Sequence, residues 1–285
     1  MALLETKGNS VLKKEDRKEF TGKNVLITGG ARNIGFAIAK ELALKGASVA
    51  LAEICQDLST IPYPLSSRET LEKATEDLSF LGSRSLGLVC DVRDEGQVQE
   101  AVRRVTEELG SVDVLVNNAG VISLYSLSEL SQKAWEEVLD VCLKGAYLCS
   151  KHVLPGMISR QQGTIINIAS VAGLRGLGLS SHYCAAKHGL LGFTKALAME
   201  VASHNIRVNA VCPGTVESVS LEGIAAQAGL GREEPYRHFS QGHLLQDRRI
   251  TPEDIARAVR WLASDESRCV TGTVLSVDAG WSARG

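Results

Sequence analysis

The sequence carries little of what would mark a secreted, membrane or nucleic-acid-binding protein. Charge of one sign is missing: 31 basic and 33 acidic residues are well mixed and leave a formal net charge of -2. No large field is left to attract nucleic acid or anionic lipid, so small molecules are the expected partners. The seven cysteines are odd in number and form no CxxC pair, which argues against a disulfide framework or a zinc ribbon and for a reducing cytoplasm. No run is both long enough and apolar enough to span a membrane, and no fixed-period repeat emerges. Residues 1–20, ending in Leu12-Lys13-Lys14-Glu15-Asp16-Arg17-Lys18-Glu19-Phe20, are too charged for a signal peptide and read as a mobile extension.

Aromatics are scarce at 5%, yet hydrophobic residues reach 44% and 27 glycines are spread along the 285 residues. That balance suits an alanine- and valine-rich α/β protein with one domain over 21–285. Short apolar, β-rich runs at 24–28, 48–52, 85–90, 112–117, 163–168, 207–212 and 274–277 read as seven strands. Between them, 34–45, 95–109, 131–157, 182–202 and 252–263 carry apolar residues at helical spacing. The alternation predicts a Rossmann-type, doubly wound seven-stranded parallel sheet with helices on both faces, and ligands beyond the carboxyl ends of its strands. Two stretches break the rhythm, an insertion at 54–81 and a longer one at 215–250, and both are candidate lids.

The first strand runs into Thr28-Gly29-Gly30-Ala31-Arg32-Asn33-Ile34-Gly35 and then a helix. Such a turn points free backbone N–H groups at a pyrophosphate, whereas the same glycines elsewhere would mean only a tight turn. Glu53 closes the second strand, where a carboxylate can hydrogen-bond a ribose diol. It would repel a 2′-phosphate while Arg32 would attract one, and the carboxylate decides the expectation for NAD.

With Asp91-Val92, Asn117-Asn118-Ala119-Gly120, Ser170, Tyr183-Cys184-Ala185-Ala186-Lys187 and Pro213-Gly214 following in order, the sequence resembles the short-chain dehydrogenase/reductase family over nearly everything after residue 20. The resemblance implies that Gly29, Arg32, Asn33, Ile34 and Gly35 meet the phosphates, that Asp91 and Val92 contact adenine, and that Asn118, Ala119 and Gly120 line the ribose. It also implies that Pro213, Gly214, Val216 and Ser218 cradle the nicotinamide. Asn33 stands where the family usually has glycine, and asparagine is the residue next most tolerant of left-handed backbone.

A carbinol is a very weak acid, so loss of hydride to NAD needs a base for the hydroxyl proton. Tyr183 and Lys187, four residues apart, fall on one helix face. A nearby ammonium favours phenolate and is expected to lower the tyrosine pKa from its usual value of about 10. Both side chains are also expected beside the bound cofactor, and Ser170, by the family resemblance, is expected to hydrogen-bond the substrate oxygen. Family members usually add an asparagine that holds a relay water, and here its position is Cys142. A thiol is a poor donor and acceptor, so the relay is expected to slow, and a non-catalytic NAD-binding sensor or scaffold is the alternative.

The stretch containing Ile61-Pro62-Tyr63-Pro64-Leu65-Ser66 resists helix formation and is expected to wrap the adenosine side. It resembles the insertion of carveol-dehydrogenase-like, mycofactocin-associated members, which implies tightly held NAD and an external redox carrier. The tail Val277-Asp278-Ala279-Gly280-Trp281 resembles one that meets neighbouring subunits, implying a homotetramer. His182 and Cys184 flank Tyr183 without metal-ligand spacing, and no metal is expected.

Overall fold

The computed structural model describes residues 18–230 and 235–284, so residues 1–17 of the expected extension lie outside the described residues. The chain runs β1 (Asn24–Thr28), α1 (Asn33–Leu44), β2 (Ser48–Glu53), α2 (Arg68–Phe80), β3 (Ser85–Val89), α3 (Glu95–Glu108) and β4 (Val114–Asn117). There follow α4 (Gln132–Leu139), a π-helical turn (Asp140–Lys144), α5 (Gly145–Arg160), β5 (Gly163–Ile168) and α6 (Ser181–Val201). The last third holds β6 (Ile206–Pro213), α7 (Val219–Gln227), α8 (Pro235–Phe239), α9 (Pro252–Ala263) and β7 (Val274–Val277).

The seven strands pair in parallel in the order β3-β2-β1-β4-β5-β6-β7. Side-chain alternation sends successive β1 residues to opposite faces. Val25 and Ile27 pack with Ile38 and Leu42 of α1, Leu71 and Leu78 of α2, and Ile255 and Val259 of α9. Leu26 joins Val98 and Val105 of α3, Leu148 of α5 and Leu197 of α6. Burial on both faces is why these strands read as apolar runs rather than as alternating ones. The order reverses between β1 and β4, and that switch opens a crevice at the strands' carboxyl ends. Among the described residues no helix is long and apolar enough to cross a membrane, and all seven cysteines are free thiols.

Four expectations need correction. The helix expected over 131–157 is interrupted by the π-helical turn, whose i→i+5 bonding admits one extra residue and swings Cys142 inward to the Val121 backbone. The insertion is irregular only over 54–67. The rest is α2, started by Ser67 accepting the Thr70 N–H (3.1 Å) and seated by Leu71, Ala74 and Leu78. The segment 215–250 holds α7 and α8, too short for periodicity to reveal. Finally, the last residues of the expected extension, 18–20, belong to the fold. Phe20 is 2% exposed among Leu42, Ala43 and Ala47, its N–H bonds Lys45 O (2.8 Å), and Glu19 pairs with Arg260 on α9 (2.8 Å).

Phe20→Ala should therefore cost about 3 kcal/mol in urea unfolding, the range for emptying a buried phenylalanine site. An unchanged midpoint would place Phe20 outside the folded unit.

Candidate active site

A cavity of about 640 Å³ occupies the crevice, and all the residues expected at the site line it. Its floor is the joint between β1 and β4. Thr28 Oγ1 accepts the N–H groups of Asn118 and Ala119 (both 3.0 Å), while Asn118 Nδ2 donates to the carbonyls of Thr28 (3.0 Å) and Gly29 (2.8 Å). Gly29 turns the chain at φ +61° and Asn33 takes φ +48°, the left-handed conformation that asparagine tolerates. A Cβ on Gly35 would collide with the Gly29 carbonyl, so only glycine lets α1 begin this close to the turn. The N-terminus of α1, preceded by Arg32, has no side-chain cap and no acidic residue in its first turn. An uncapped terminus facing a cavity presents free N–H groups and positive dipole to an anion.

Glu53, 8% exposed, accepts the N–H groups of Ala31 and Ile54 (both 3.3 Å) and closes the far side of the turn. Burial raises its pKa, partly offset by those N–H groups and by the Arg32 guanidinium. Arg32 also donates to Pro64 O of the insertion (2.8 Å). Asp91 is clamped by the Arg93 guanidinium (2.6 Å), which outweighs desolvation and holds its carboxyl below the usual range. Ile34 and Val92 add apolar wall.

Past Gly120, Ser170, Tyr183 and Lys187 converge on the same cavity. Ser170 Oγ accepts the Ala172 N–H (3.1 Å), and its hydroxyl faces the same cavity as that of Tyr183. Lys187, 2% exposed, donates to Ile168 O (2.7 Å), and its Nζ lies 5.6 Å from the Tyr183 ring centroid. The expected depression of the tyrosine pKa is absent from the chain alone. Burial pushes the Tyr183 hydroxyl up, and the Ser170 hydroxyl only partly opposes it. The ammonium's hydrogen bond goes to a carbonyl and not to the phenol.

Cys142 turns out to grip backbone. Its Sγ accepts the Val121 N–H and donates to Val121 O, each at 3.4 Å. The residues beyond are held just as closely. Tyr63 hydroxyl accepts the Ile122 N–H (3.0 Å), His182 Nε2 bonds Ser123 Oγ (3.0 Å), and the Gln227 amide of α7 takes both Leu124 N–H (2.9 Å) and Leu124 O (2.8 Å). Sequence reasoning missed Tyr63, which lines the cavity, and Gln227, which holds the lining residue Leu124 from behind, and only the proline-flanked Tyr63 left a signal. The insertion is tied to two helices: Tyr63 packs with Leu221 and Ile224 of α7, and Thr60 N and Oγ1 both donate to the buried Glu137 carboxylate of α4 (3.3 and 2.5 Å). On the opposite wall, Pro213 ends β6, Gly214 N–H bonds Val277 O (3.0 Å), Val216 pairs with Ile250, and Ser218 Oγ caps α7 through the Leu221 N–H (3.2 Å).

His182 is fully buried and burial pulls its pKa down, so the folded chain favours the neutral ring. With the unfolded value near about 6.5, its contribution to stability is present above that pH and is lost as the pH falls. The urea midpoint should drop between about pH 7 and about pH 5, less steeply in His182→Gln. Parallel pH profiles for the two proteins would contradict this.

Residues 29–282 match a family model described as Enoyl-(Acyl carrier protein) reductase. The 3-oxoacyl-(acyl-carrier-protein) reductase of Thermotoga maritima is 36% identical, over 91% of this chain and 97% of that protein. The 2-(S)-hydroxypropyl-CoM dehydrogenase 3 of Xanthobacter autotrophicus is also 36% identical, over 91% of this chain and 96% of that protein. Among solved structures, carveol dehydrogenase from Mycobacterium avium in complex with NAD superposes with a TM-score of 0.88 at 33% identity, covering 93% of this chain and 99% of that one. The chain belongs to the short-chain dehydrogenase/reductase family.

Proposed function

We propose that the chain is an NAD-dependent dehydrogenase, or ketone reductase, acting on a secondary alcohol or its ketone. The observation that carries this reading is the convergence of Ser170, Tyr183 and Lys187 on the cavity that also holds the uncapped α1 N-terminus and Glu53. These residues fit a dinucleotide. The N–H groups at Arg32, Asn33 and Ile34 suit its phosphates, the Glu53 carboxylate suits a free ribose diol, and 213–218 suit the nicotinamide end. The NAD complex of the carveol dehydrogenase supports the same preference.

Bound NAD supplies the hydride acceptor. Ser170 orients the substrate oxygen by a hydrogen bond, Tyr183 exchanges the hydroxyl proton, and Lys187 contributes fixed positive charge beside the ring. Besides His238, the charged side chains lining the cavity among the described residues are Arg32, Glu53, Asp91 and Lys187. The remaining wall includes Ile122, Leu124, Leu179, Leu221, Ile224 and Phe239, which suits an apolar carbinol. The insertion, bonded to Arg32 and packed on α7, supports tight retention of NAD with reoxidation by an external redox carrier. A homotetramer in a reducing cytoplasm completes the reading.

With NAD, an artificial electron acceptor able to reoxidise retained NADH and a panel of apolar secondary alcohols, Tyr183→Phe should lower kcat/KM by about a hundredfold or more while NADH still binds. Turnover unaffected by the substitution rejects the mechanism, and a wild type that binds NADH yet oxidises none of the panel favours a sensor. Denatured protein, after extensive dialysis of the native form, should release close to one NAD per chain. Complete loss of nucleotide on dialysis rejects tight retention.

A further inference from the structure

The wall formed by Gly214, Thr215 and Val216 is pinned from behind at each residue. Gly214 N–H bonds Val277 O (3.0 Å), Thr215 N–H bonds His243 Nε2 (3.2 Å), and Val216 bridges Ile250 in parallel. The outer pins are main chain to main chain. Thr215 is held by side chains at two points, its own Oγ1 donating to Phe239 O at the end of α8 (2.7 Å) and its N–H bonding His243 from the segment after α8, where no motif draws attention to it.

His243 is 1% exposed and is closely fitted to this task. A Cβ on residue 214 would come within 2.8 Å of Nε2, so Gly214 lets the imidazole reach the neighbouring N–H. Trp281, itself part of the cavity lining, meets the ring edge-on at 5.7 Å, and Tyr236 does so at 6.0 Å. Because Nε2 accepts, the proton must sit on Nδ1, and that atom is buried with no hydrogen-bond partner among the described residues. An apolar side chain would avoid this orphaned N–H but would leave the Thr215 N–H unpaired instead. A fold that carries an unsatisfied buried group usually does so where position matters.

We propose that His243 is a positioning residue for the nicotinamide half of the dinucleotide, acting through the Thr215 N–H to hold the 214–216 wall in its binding shape. This rests on the dinucleotide reading above. The adenosine half, held by the α1 N-terminus and Glu53, is outside its influence. The bond is open to titration, since a proton on Nε2 removes the acceptor. Burial lowers the pKa of His243 while the Asp278 carboxylate, engaged with the N–H groups of Gly280 (2.9 Å) and Ser282 (2.8 Å), raises it. Tyr236, whose hydroxyl accepts the Ile250 N–H (2.8 Å), is the other titratable group packed on the ring.

The test compares dissociation constants for NADH and ADP-ribose, which share the adenosine half, on full-length protein stripped of nucleotide by reversible unfolding if necessary. His243→Ala should weaken NADH by about tenfold, the scale of one lost hydrogen bond, and leave ADP-ribose within about twofold. His243→Gln, whose side-chain oxygen reaches the position of Nε2, should recover most of the loss. In the wild type, NADH should lose its advantage over ADP-ribose as the pH falls from about 8 to about 5.5, a readout that does not depend on any variant folding. Equal weakening of both ligands in His243→Ala, or an NADH advantage that survives both the substitution and the pH change, overturns the proposal. A wild type that binds neither ligand overturns the dinucleotide reading itself, and this proposal with it.

Discussion

Everything at the site is referenced to the hydrogen bonds between the ends of β1 and β4. Thr28 and Asn118 exchange backbone and side-chain hydrogen bonds across the point where strand order reverses. A parallel sheet leaves its strand ends free to splay there, because the connections leave in opposite directions. The reciprocal bonding removes that freedom, so the glycine turn on one side and the Ala119–Gly120 backbone on the other keep one spacing. Asn118 spends its amide donor on two carbonyls, so its side chain shapes the crevice whose wall the residue also lines.

The protonation of Tyr183 depends on what shares the cavity with it. In the chain alone burial dominates, and a phenol pushed upward is a proton donor at neutral pH, the state suited to reducing a carbonyl. Oxidation of a carbinol asks for the opposite state. In the proposed mechanism fixed positive charge is the counterweight, and Lys187 is already anchored and buried, so that role would need no ordering of a long side chain during turnover. In the proposed reaction the same arrangement would serve either direction, depending on how far bound charge offsets burial.

Much of this was legible from the residues. Strand runs, the glycine turn, the acid closing β2 and the Tyr183–Lys187 spacing all follow periodicities or motifs that survive in one dimension. What escaped depends on distance across the chain. The π-helical turn around Cys142 has the composition of ordinary helix, and only the Val121 backbone it meets explains it. Helix α2 was obscured because the prolines before it dominate the reading of the whole stretch, although Ser67 and the Leu71, Ala74, Leu78 spacing were there to be read. Phe20 looked like the end of a charged tail because its partners lie on α1 and just beyond. His243 belongs to no motif, and its meaning comes from an amide 28 residues earlier.

The carboxylate of Glu137 sits inside the protein with Thr60 of the irregular 54–67 insertion, a strap bonded to α4, as its hydrogen-bond donor through both N–H and hydroxyl. A shorter strap would take both Thr60 donors away from that buried carboxyl, and leaving a buried polar group short of partners costs stability. Strap length and the identity of one α4 residue are therefore locked to each other, and a homologue with a trimmed strap should carry something neutral where Glu137 stands.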